Sequence, residues 1–218
     1  MSNDEKIGLD FERAEKLAGG NDSDVFLYDS LVYKEYHRLD VEQVTRYAQL
    51  VNDGVAALDR LAYRGVIKID SVEYNCEFRG LPVQRAGIGP RGQPVTVSDY
   101  ICEPNLDRLT QRPEQFALYP LGRVASLDQR RFFIRLNRLF FNELPTRVQD
   151  EFHYHADMVS RLLDRELGVS GVYIGKYNVK ILPDLAGQRL TLLVTDLAVY
   201  IDRLGWDGHG RSKGDSAR

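Results

Sequence analysis

Cysteine is scarce in this sequence, and neither an excess of one charge nor a long apolar run is present. Cys76 and Cys102 are too few and too far apart for a disulfide framework or a cysteine-based zinc site. Lys and Arg number 29 against 32 Asp and Glu, so no basic excess is present to neutralise nucleic-acid phosphates. No apolar run approaches the roughly 20 residues of a membrane span, and the polar, acidic start does not resemble a secretion signal. We therefore expect a cytoplasmic protein that binds neither nucleic acid nor membrane.

The remaining composition is that of a folded globular protein. The 218 residues are 43% hydrophobic and 28% charged, close to globular averages, which excludes a disordered or low-complexity chain. A chain of this length can bury well over half of the surface that it exposes when unfolded. We expect one domain, or one domain divided into two lobes.

The hydrophobic pattern changes from strands to helices along the chain. Short aromatic and β-branched runs predict strands over residues 11–17, 24–29, 31–36, 66–74, 81–85 and 94–101. Apolar spacings of three and four predict helices over 41–58, with Asp40 as N-cap, and over 130–142 and 146–167, the last ended by Gly168. A hairpin is predicted from 178–182 and 190–195. The predicted fold is α+β and bilobal, with an N-terminal extension (1–10), an antiparallel strand-rich lobe (11–102), a mainly helical, truncated lobe (103–204) and a polar tail (205–218).

The segment AGGNDSDVFLYDSLVYKEY has features of a phosphate-binding turn. Gly19 and Gly20 end one strand, Asn21 and Ser23 lie in the turn that follows, and Lys34 lies on the third strand. Glycines allow backbone N–H groups to approach a polyphosphate, and a lysine on a neighbouring strand supplies a charge to it. The plainer interpretation is an ordinary hairpin with an exposed lysine.

Two oxygen-bearing side chains occur at the other end of the chain. Asn178 opens the predicted hairpin and Asp196 follows its second strand, in LLVTDLA. Such residues can supply oxygen ligands to Mg²⁺ bound to phosphates. The alternative is that both are turn residues at strand ends.

In order along the chain, these segments resemble the protein-kinase-like fold, including its aminoglycoside and choline phosphotransferase branch. GGNDSDVF resembles the phosphate-binding loop, LVYKEY the strand with the nucleotide lysine, VTVSDYICEPNLDRL the last small-lobe strand and hinge, YNVKI the end of the catalytic loop and VTDLA the metal-binding aspartate motif. The resemblance implies that ATP or another purine nucleotide binds with Mg²⁺. It implies hydrogen bonds to the base from the backbone near Asp99 and Ile101, and metal ligands at Asn178 and Asp196, with Lys34 and Asp196 on one cleft.

The sequence also departs from this family. Tyr173 stands where the family has the aspartate that accepts the substrate proton, and a phenol is a poor base at neutral pH. Glu42 is the only glutamate in the 41–58 segment and lies early for a partner of Lys34. Only 22 residues follow Asp196 in this sequence, so we expect no peptide-substrate platform of the kind that protein kinases build from helices after this point.

Three functions follow as hypotheses. The first is a kinase-like domain that binds a purine nucleotide and Mg²⁺ but transfers phosphate poorly or not at all, as a pseudokinase does. The second is an active atypical phosphotransferase with a small-molecule or protein hydroxyl acceptor. The third is an interaction protein, with a protein partner, that has lost the nucleotide. The sequence does not determine the oligomeric state.

Overall fold

The computed structural model describes residues 6–19, 21–121, 126–142, 147–168, 172–195 and 198–199. These residues form a mixed α+β structure, which confirms the α+β part of the predicted fold. The chain divides into two compact units. Unit 1 comprises Met1–Asp53, Leu81–Tyr100 and Ala198–Arg218, and unit 2 comprises Gly54–Gly80 and Ile101–Leu197. No helix within the described ranges is long and apolar enough to cross a bilayer.

The helices and strands are numbered in chain order. They are β1 (Glu15–Gly19), β2 (Ser23–Tyr28), β3 (Leu31–Tyr36), α1 (Val41–Leu61), β4 (Arg64–Ile69), β5 (Val72–Gly80), β6 (Arg85–Ile88), β7 (Pro94–Asp99), α2 (Leu106–Leu109), α3 (Pro113–Phe116), α4 (Leu127–Asn142), α5 (Arg147–Leu167), β8 (Val172–Tyr173), β9 (Val179–Asp184), β10 (Arg189–Val194) and β11 (Ala198–Val199).

Unit 1 is built on an antiparallel sheet with the strand order β1-β2-β3-β7-β6. Because side chains alternate across a strand, β3 supplies a core residue to each face. Tyr33 joins a cluster with Phe26 and Val97 on one face, and Tyr36 joins Val44 of α1 on the other. The predicted N-cap of α1 is confirmed, since the Asp40 side chain accepts a hydrogen bond from the backbone N–H of Gln43.

Unit 2 contains a four-stranded mixed sheet with the order β4-β5-β10-β9. The β4–β5 and β9–β10 pairs are antiparallel, and β10 runs parallel to β5, with Arg189 opposite Asn75 and Val194 opposite Gly80. Helices α4 and α5 fill the core of this unit with apolar side chains that are at most 1% exposed: Phe133, Leu136, Phe152, Val159 and Leu163. Gly168 ends α5 with φ +61°, as predicted.

The strand predicted over residues 66–74 is wrong. The chain turns within it, because Asp70 adopts φ +54°, and β4 and β5 form a hairpin on either side of that turn. Asp at φ > 0 is a common turn conformation, but the flanking apolar residues continue the strand pattern across the turn and conceal it. The strand predicted over 81–85 is displaced to β6, and α2 and α3 are too short to show a helical period.

A polar contact is buried where α5 covers the start of β4. The hydroxyl of Tyr63 lies 2.6 Å from Nδ1 of His155, and Nε2 of His155 lies 3.0 Å from the carbonyl oxygen of Val66. His155 is only 7% exposed. A Cβ atom added at Gly65 would lie 2.5 Å from Cε1 of His155 and 3.0 Å from Sγ of Cys76. The glycine is therefore required by the approach of the imidazole to the strand.

We expect Gly65→Ala to destabilise the protein by about 1–3 kcal/mol, the usual cost of inserting a methyl group into a packed site. The imidazole is held by hydrogen bonds at both nitrogens and cannot move aside without breaking one. Denaturant unfolding measures the change. Gly8→Ala is the control, because nothing lies within 4 Å of its added Cβ, and its effect should stay within about 0.5 kcal/mol. Equal stability of both variants would contradict the packing described.

Candidate functional site

The turn of the β1–β2 hairpin holds the predicted phosphate-binding residues. Asn21 is exposed and Ser23 half-buried, while Gly20 lies outside the described residues. A Cβ atom on Gly19 would lie 2.5 Å from Oδ1 of Asp24, which itself forms an ion pair of 2.8 Å with Lys16. The hydrogen bond from Lys16 holds the pKa of Asp24 below its ordinary value. Gly19 therefore makes room for an ion pair of the hairpin itself.

Lys34 lies on β3, as predicted, with its side chain on the sheet face that α1 covers. Its register partners are Val25 on β2 and Thr96 on β7. The ammonium lies 5.3 Å from the ring centre of Tyr36 and 5.9 Å from that of Tyr47, within the range of cation–π attraction. The kinase-like resemblance predicts a glutamate beside Lys34. It does not predict the two tyrosine rings that lie there.

Two glutamates near Lys34 are engaged elsewhere. Glu42, at the start of α1, pairs with Arg46 one turn along the helix. Glu35 follows Lys34 directly and therefore points to the opposite face of the sheet, where it is 2% exposed and 3.5 Å from Arg91. Its Oε1 atom has no hydrogen-bond partner among the described residues.

The two residues predicted to present backbone groups to the base differ in their surroundings. Asp99 ends β7 and is exposed, and its carboxylate accepts a hydrogen bond of 2.6 Å from Gln84. Ile101 begins the second segment of unit 2, and its carbonyl oxygen accepts a hydrogen bond of 2.5 Å from Nζ of Lys180. The Ile101 carbonyl is thus already hydrogen-bonded within the protein.

Lys180 is a residue that the sequence analysis missed. It lies on β9 and donates a second hydrogen bond, of 2.8 Å, to the carbonyl oxygen of Glu103. The carbonyl of Cys102, between these two residues, accepts a hydrogen bond of 2.7 Å from the hydroxyl of Tyr119. Burial lowers the pKa of Lys180, and Glu103 opposes this shift. The one feature of the sequence that could have drawn attention to Lys180 is its position between two apolar residues, Val179 and Ile181.

The turn before β9 is fixed to the start of α2. Asn105 caps α2 through the N–H of Arg108 and donates from its amide to the carbonyl of Tyr177. Lys176 forms an ion pair of 2.9 Å with Asp107, and this hydrogen bond raises the pKa of Lys176. These contacts hold the backbone on which Asn178 lies.

The predicted metal residues are described only in part. Asn178 is half-buried, and its backbone carbonyl accepts a hydrogen bond from the N–H of Thr195. Within the described ranges, no hydrogen bond joins its side-chain amide to another residue. Asp196 lies outside the described residues. Within the described part of the chain, no group of three or more metal-ligating side chains occurs.

Tyr173, at the position of the family's base, lies on β8. It is 57% exposed, and a Cβ atom added at Gly175 would lie 2.5 Å from its ring. The ring therefore covers the backbone of Gly175 and leaves much of its surface to solvent.

A cleft of about 240 Å³ lies in unit 2 beside Lys176. Phe140, Phe141 and Phe152 line it together with His153. It is somewhat smaller than most pockets that enclose drug-sized ligands, so its size suits a small molecule.

The chain matches no protein-family model and is not significantly similar to any curated protein. The described residues offer three features for ligand binding. Unit 1 has a lysine beside aromatic rings. Unit 2 has the side-chain amide of Asn178 and a linker segment (residues 101–105) in which the carbonyls of residues 101–103 accept hydrogen bonds from side chains.

The two free thiols should differ in reactivity. Burial raises the pKa of Cys76 to about 11, and burial together with Glu103 raises that of Cys102. Because the thiolate is the reactive form, alkylation of Cys76 at pH 8 should be about 100-fold or more slower than that of an ordinary cysteine. Cys102, which is half-buried, should react at an intermediate rate.

Mass spectrometry of iodoacetamide-labelled peptides measures both rates. In denaturant the two cysteines should react alike. Rapid labelling of Cys76 in the folded protein would contradict its burial against β4.

Proposed function

We propose that the protein is a bilobal, kinase-like protein that binds a purine nucleotide with Mg²⁺ and transfers phosphate slowly or not at all. The observation that carries this proposal is the arrangement of unit 1. A glycine-bearing hairpin is followed by β3 with Lys34, and β7, which leads to the linker segment, is hydrogen-bonded directly beside β3. Lysine on the third strand is the position that kinases use for the nucleotide phosphates.

Unit 2 supports the proposal independently. Asn178 stands immediately before β9, and Asp196 follows β10 in the sequence by two residues. The side-chain amide of Asn178 has no hydrogen-bond partner among the described residues, which supports a role as metal ligand over that of a hydrogen-bonded turn residue. Lys34 and these two residues would then hold the phosphates and their metal ion, and phosphoryl transfer depends largely on such charge neutralisation and positioning.

The expectation of weak transfer rests on Tyr173. No carboxylate stands at its position in the sequence, and the next ionisable side chain after it is Lys176. A phenol is a poor general base at neutral pH and cannot accept the proton of a hydroxyl acceptor efficiently.

A second candidate is an active phosphotransferase with a small-molecule acceptor. The cleft beside Lys176 favours a small acceptor over a protein, because of its size and its aromatic wall. A third candidate is an interaction protein with a protein partner and no nucleotide. No observation on the described residues favours it over the other two.

Nucleotide binding should appear as Mg²⁺-dependent thermal stabilisation. At a 100-fold excess over Kd a ligand stabilises the folded state by ~2.7 kcal/mol, which corresponds to a rise in Tm of about 5–10 °C for a protein of this size. ATP and GTP, each with and without Mg²⁺, are the probes. Lys34→Met should weaken binding about 10- to 100-fold, because it removes a charged hydrogen-bond donor.

Asp196→Asn should abolish the part of the Tm rise that depends on Mg²⁺ and leave the part that depends on nucleotide without Mg²⁺. Lys68→Met is the matched control, because Lys68 is an exposed lysine on β4. No shift with either nucleotide, or a shift that Lys34→Met and Asp196→Asn leave unchanged, would refute the proposed function.

Tyr173→Asp should raise phosphotransfer without loss of stability. The residue is 57% exposed, so the change opens no buried cavity. A positioned base contributes about 10²- to 10⁴-fold to rate. The unmodified protein should release phosphate from nucleotide well below about 1 s⁻¹, the lower end for kinases. Release at ordinary kinase rates by the unmodified protein would mean that another residue serves as the base.

A further inference from the structure

Each of the first three carbonyl oxygens of the linker segment accepts a hydrogen bond from a side chain. Lys180 donates to the carbonyl oxygens of Ile101 and Glu103, and Tyr119 donates to that of Cys102. All of these residues belong to unit 2. The segment that the kinase-like resemblance assigns to base recognition is therefore satisfied by the protein's own donors.

This arrangement reverses the hydrogen-bonding character of the segment. Backbone carbonyls accept hydrogen bonds and would suit the exocyclic amine of adenine, which donates. The ammonium of Lys180 has three donors and no acceptor, and two of its donors are used on the carbonyls. Among the described residues its third donor has no partner. A ligand that contacts the Lys180 ammonium would therefore accept a hydrogen bond from its N–H instead of donating one to a backbone carbonyl.

The purine bases differ in the group that would meet such a donor. Guanine and hypoxanthine carry a carbonyl oxygen at position 6, whereas adenine carries an amine there. An amine directed at the ammonium would leave both donors unpaired and add electrostatic repulsion. A 6-carbonyl oxygen would accept the third hydrogen bond of Lys180.

We infer that Lys180 determines base specificity, by turning the linker segment into a hydrogen-bond donor that selects 6-oxopurine nucleotides over adenine nucleotides. This inference rests on the proposed nucleotide-binding function. Lys180 also holds the linker segment to β9. If that structural role were its only one, removing the ammonium would leave the ratio of the GTP and ATP affinities unchanged. Base preference is therefore the property that separates the two roles.

The experiment compares the dissociation constants of GTP, ITP and ATP, each with Mg²⁺, by isothermal titration calorimetry. ITP has the 6-carbonyl oxygen but lacks the 2-amino group of guanine, so it isolates position 6. For the unmodified protein, GTP and ITP should bind about 10- to 100-fold more tightly than ATP, the range expected when a mismatched polar group is left unpaired.

Lys180→Met removes the ammonium, keeps an unbranched apolar stem and releases the two carbonyls. It should abolish or invert the preference, whereas the control Lys68→Met should keep it. If Lys180→Met fails to fold, the dissociation constants of GTP, ITP and ATP for the unmodified protein test the proposed base preference by themselves.

The outcomes distinguish the two proposals. Equal or tighter binding of ATP, binding of ITP as weak as that of ATP, or a preference that survives Lys180→Met would overturn the role of Lys180 and leave nucleotide binding intact. Failure of all three nucleotides to bind the unmodified protein would overturn the proposed function and the base preference with it.

Discussion

The parallel pairing of β10 with β5 is the constraint on which unit 2 depends. Six residue pairs join the strands, from Arg189 opposite Asn75 to Val194 opposite Gly80. Antiparallel neighbours can be joined by a short turn, whereas a parallel pair needs a long connection, and here it passes through α4 and α5. The pairing carries β9 with it, because β9 is the antiparallel hairpin partner of β10. The positions of Asn178 and Lys180 follow from that register.

The placement of Lys180 has an energetic cost that the linker segment offsets. An ammonium removed from water without partners is strongly destabilising, which is the reason that burial lowers the pKa of Lys180. Two backbone carbonyls receive its hydrogen bonds, and Glu103 supplies an opposite charge nearby. The same contacts fix the path of residues 101–103. The linker segment and the lysine therefore stabilise each other, and the chemistry that the segment offers to a ligand is set by the side chain.

Local features of the fold could be predicted from the sequence, and long-range pairings could not. The Asp40 cap, the end of α5 at Gly168 and the position of Lys34 on β3 depend on residues close in sequence, and each is where the pattern places it. The pairing of β5 with β10 depends on contacts more than 100 residues apart. The β4–β5 hairpin is local and was missed for a different reason, because the apolar pattern continues across its turn. Alternation of apolar residues does not specify which strand lies next to which.

The candidate site likewise has features that the sequence predicted and features that it did not. The residue types at Lys34 and Asn178 suggested phosphate and metal chemistry, and both roles stay predictions. The aromatic surroundings of Lys34 and the lysine beneath the linker segment could not be read from the sequence, because they require knowledge of facing strands and helices. The predicted phosphate-loop glycine at position 19 also serves a local ion pair, which a motif alone does not show.

Hydrogen–deuterium exchange with peptide-level mass spectrometry tests the central claim, that the protein binds a Mg²⁺-purine nucleotide, most directly. Exchange should be compared without ligand and with saturating Mg²⁺-GTP or Mg²⁺-ATP. The account predicts slower exchange in peptides that cover the β1–β2 hairpin, the linker segment and the turn at Asn178, with little change in α4 and α5. Unchanged exchange throughout the chain, or protection confined to peptides outside those three segments, would contradict it.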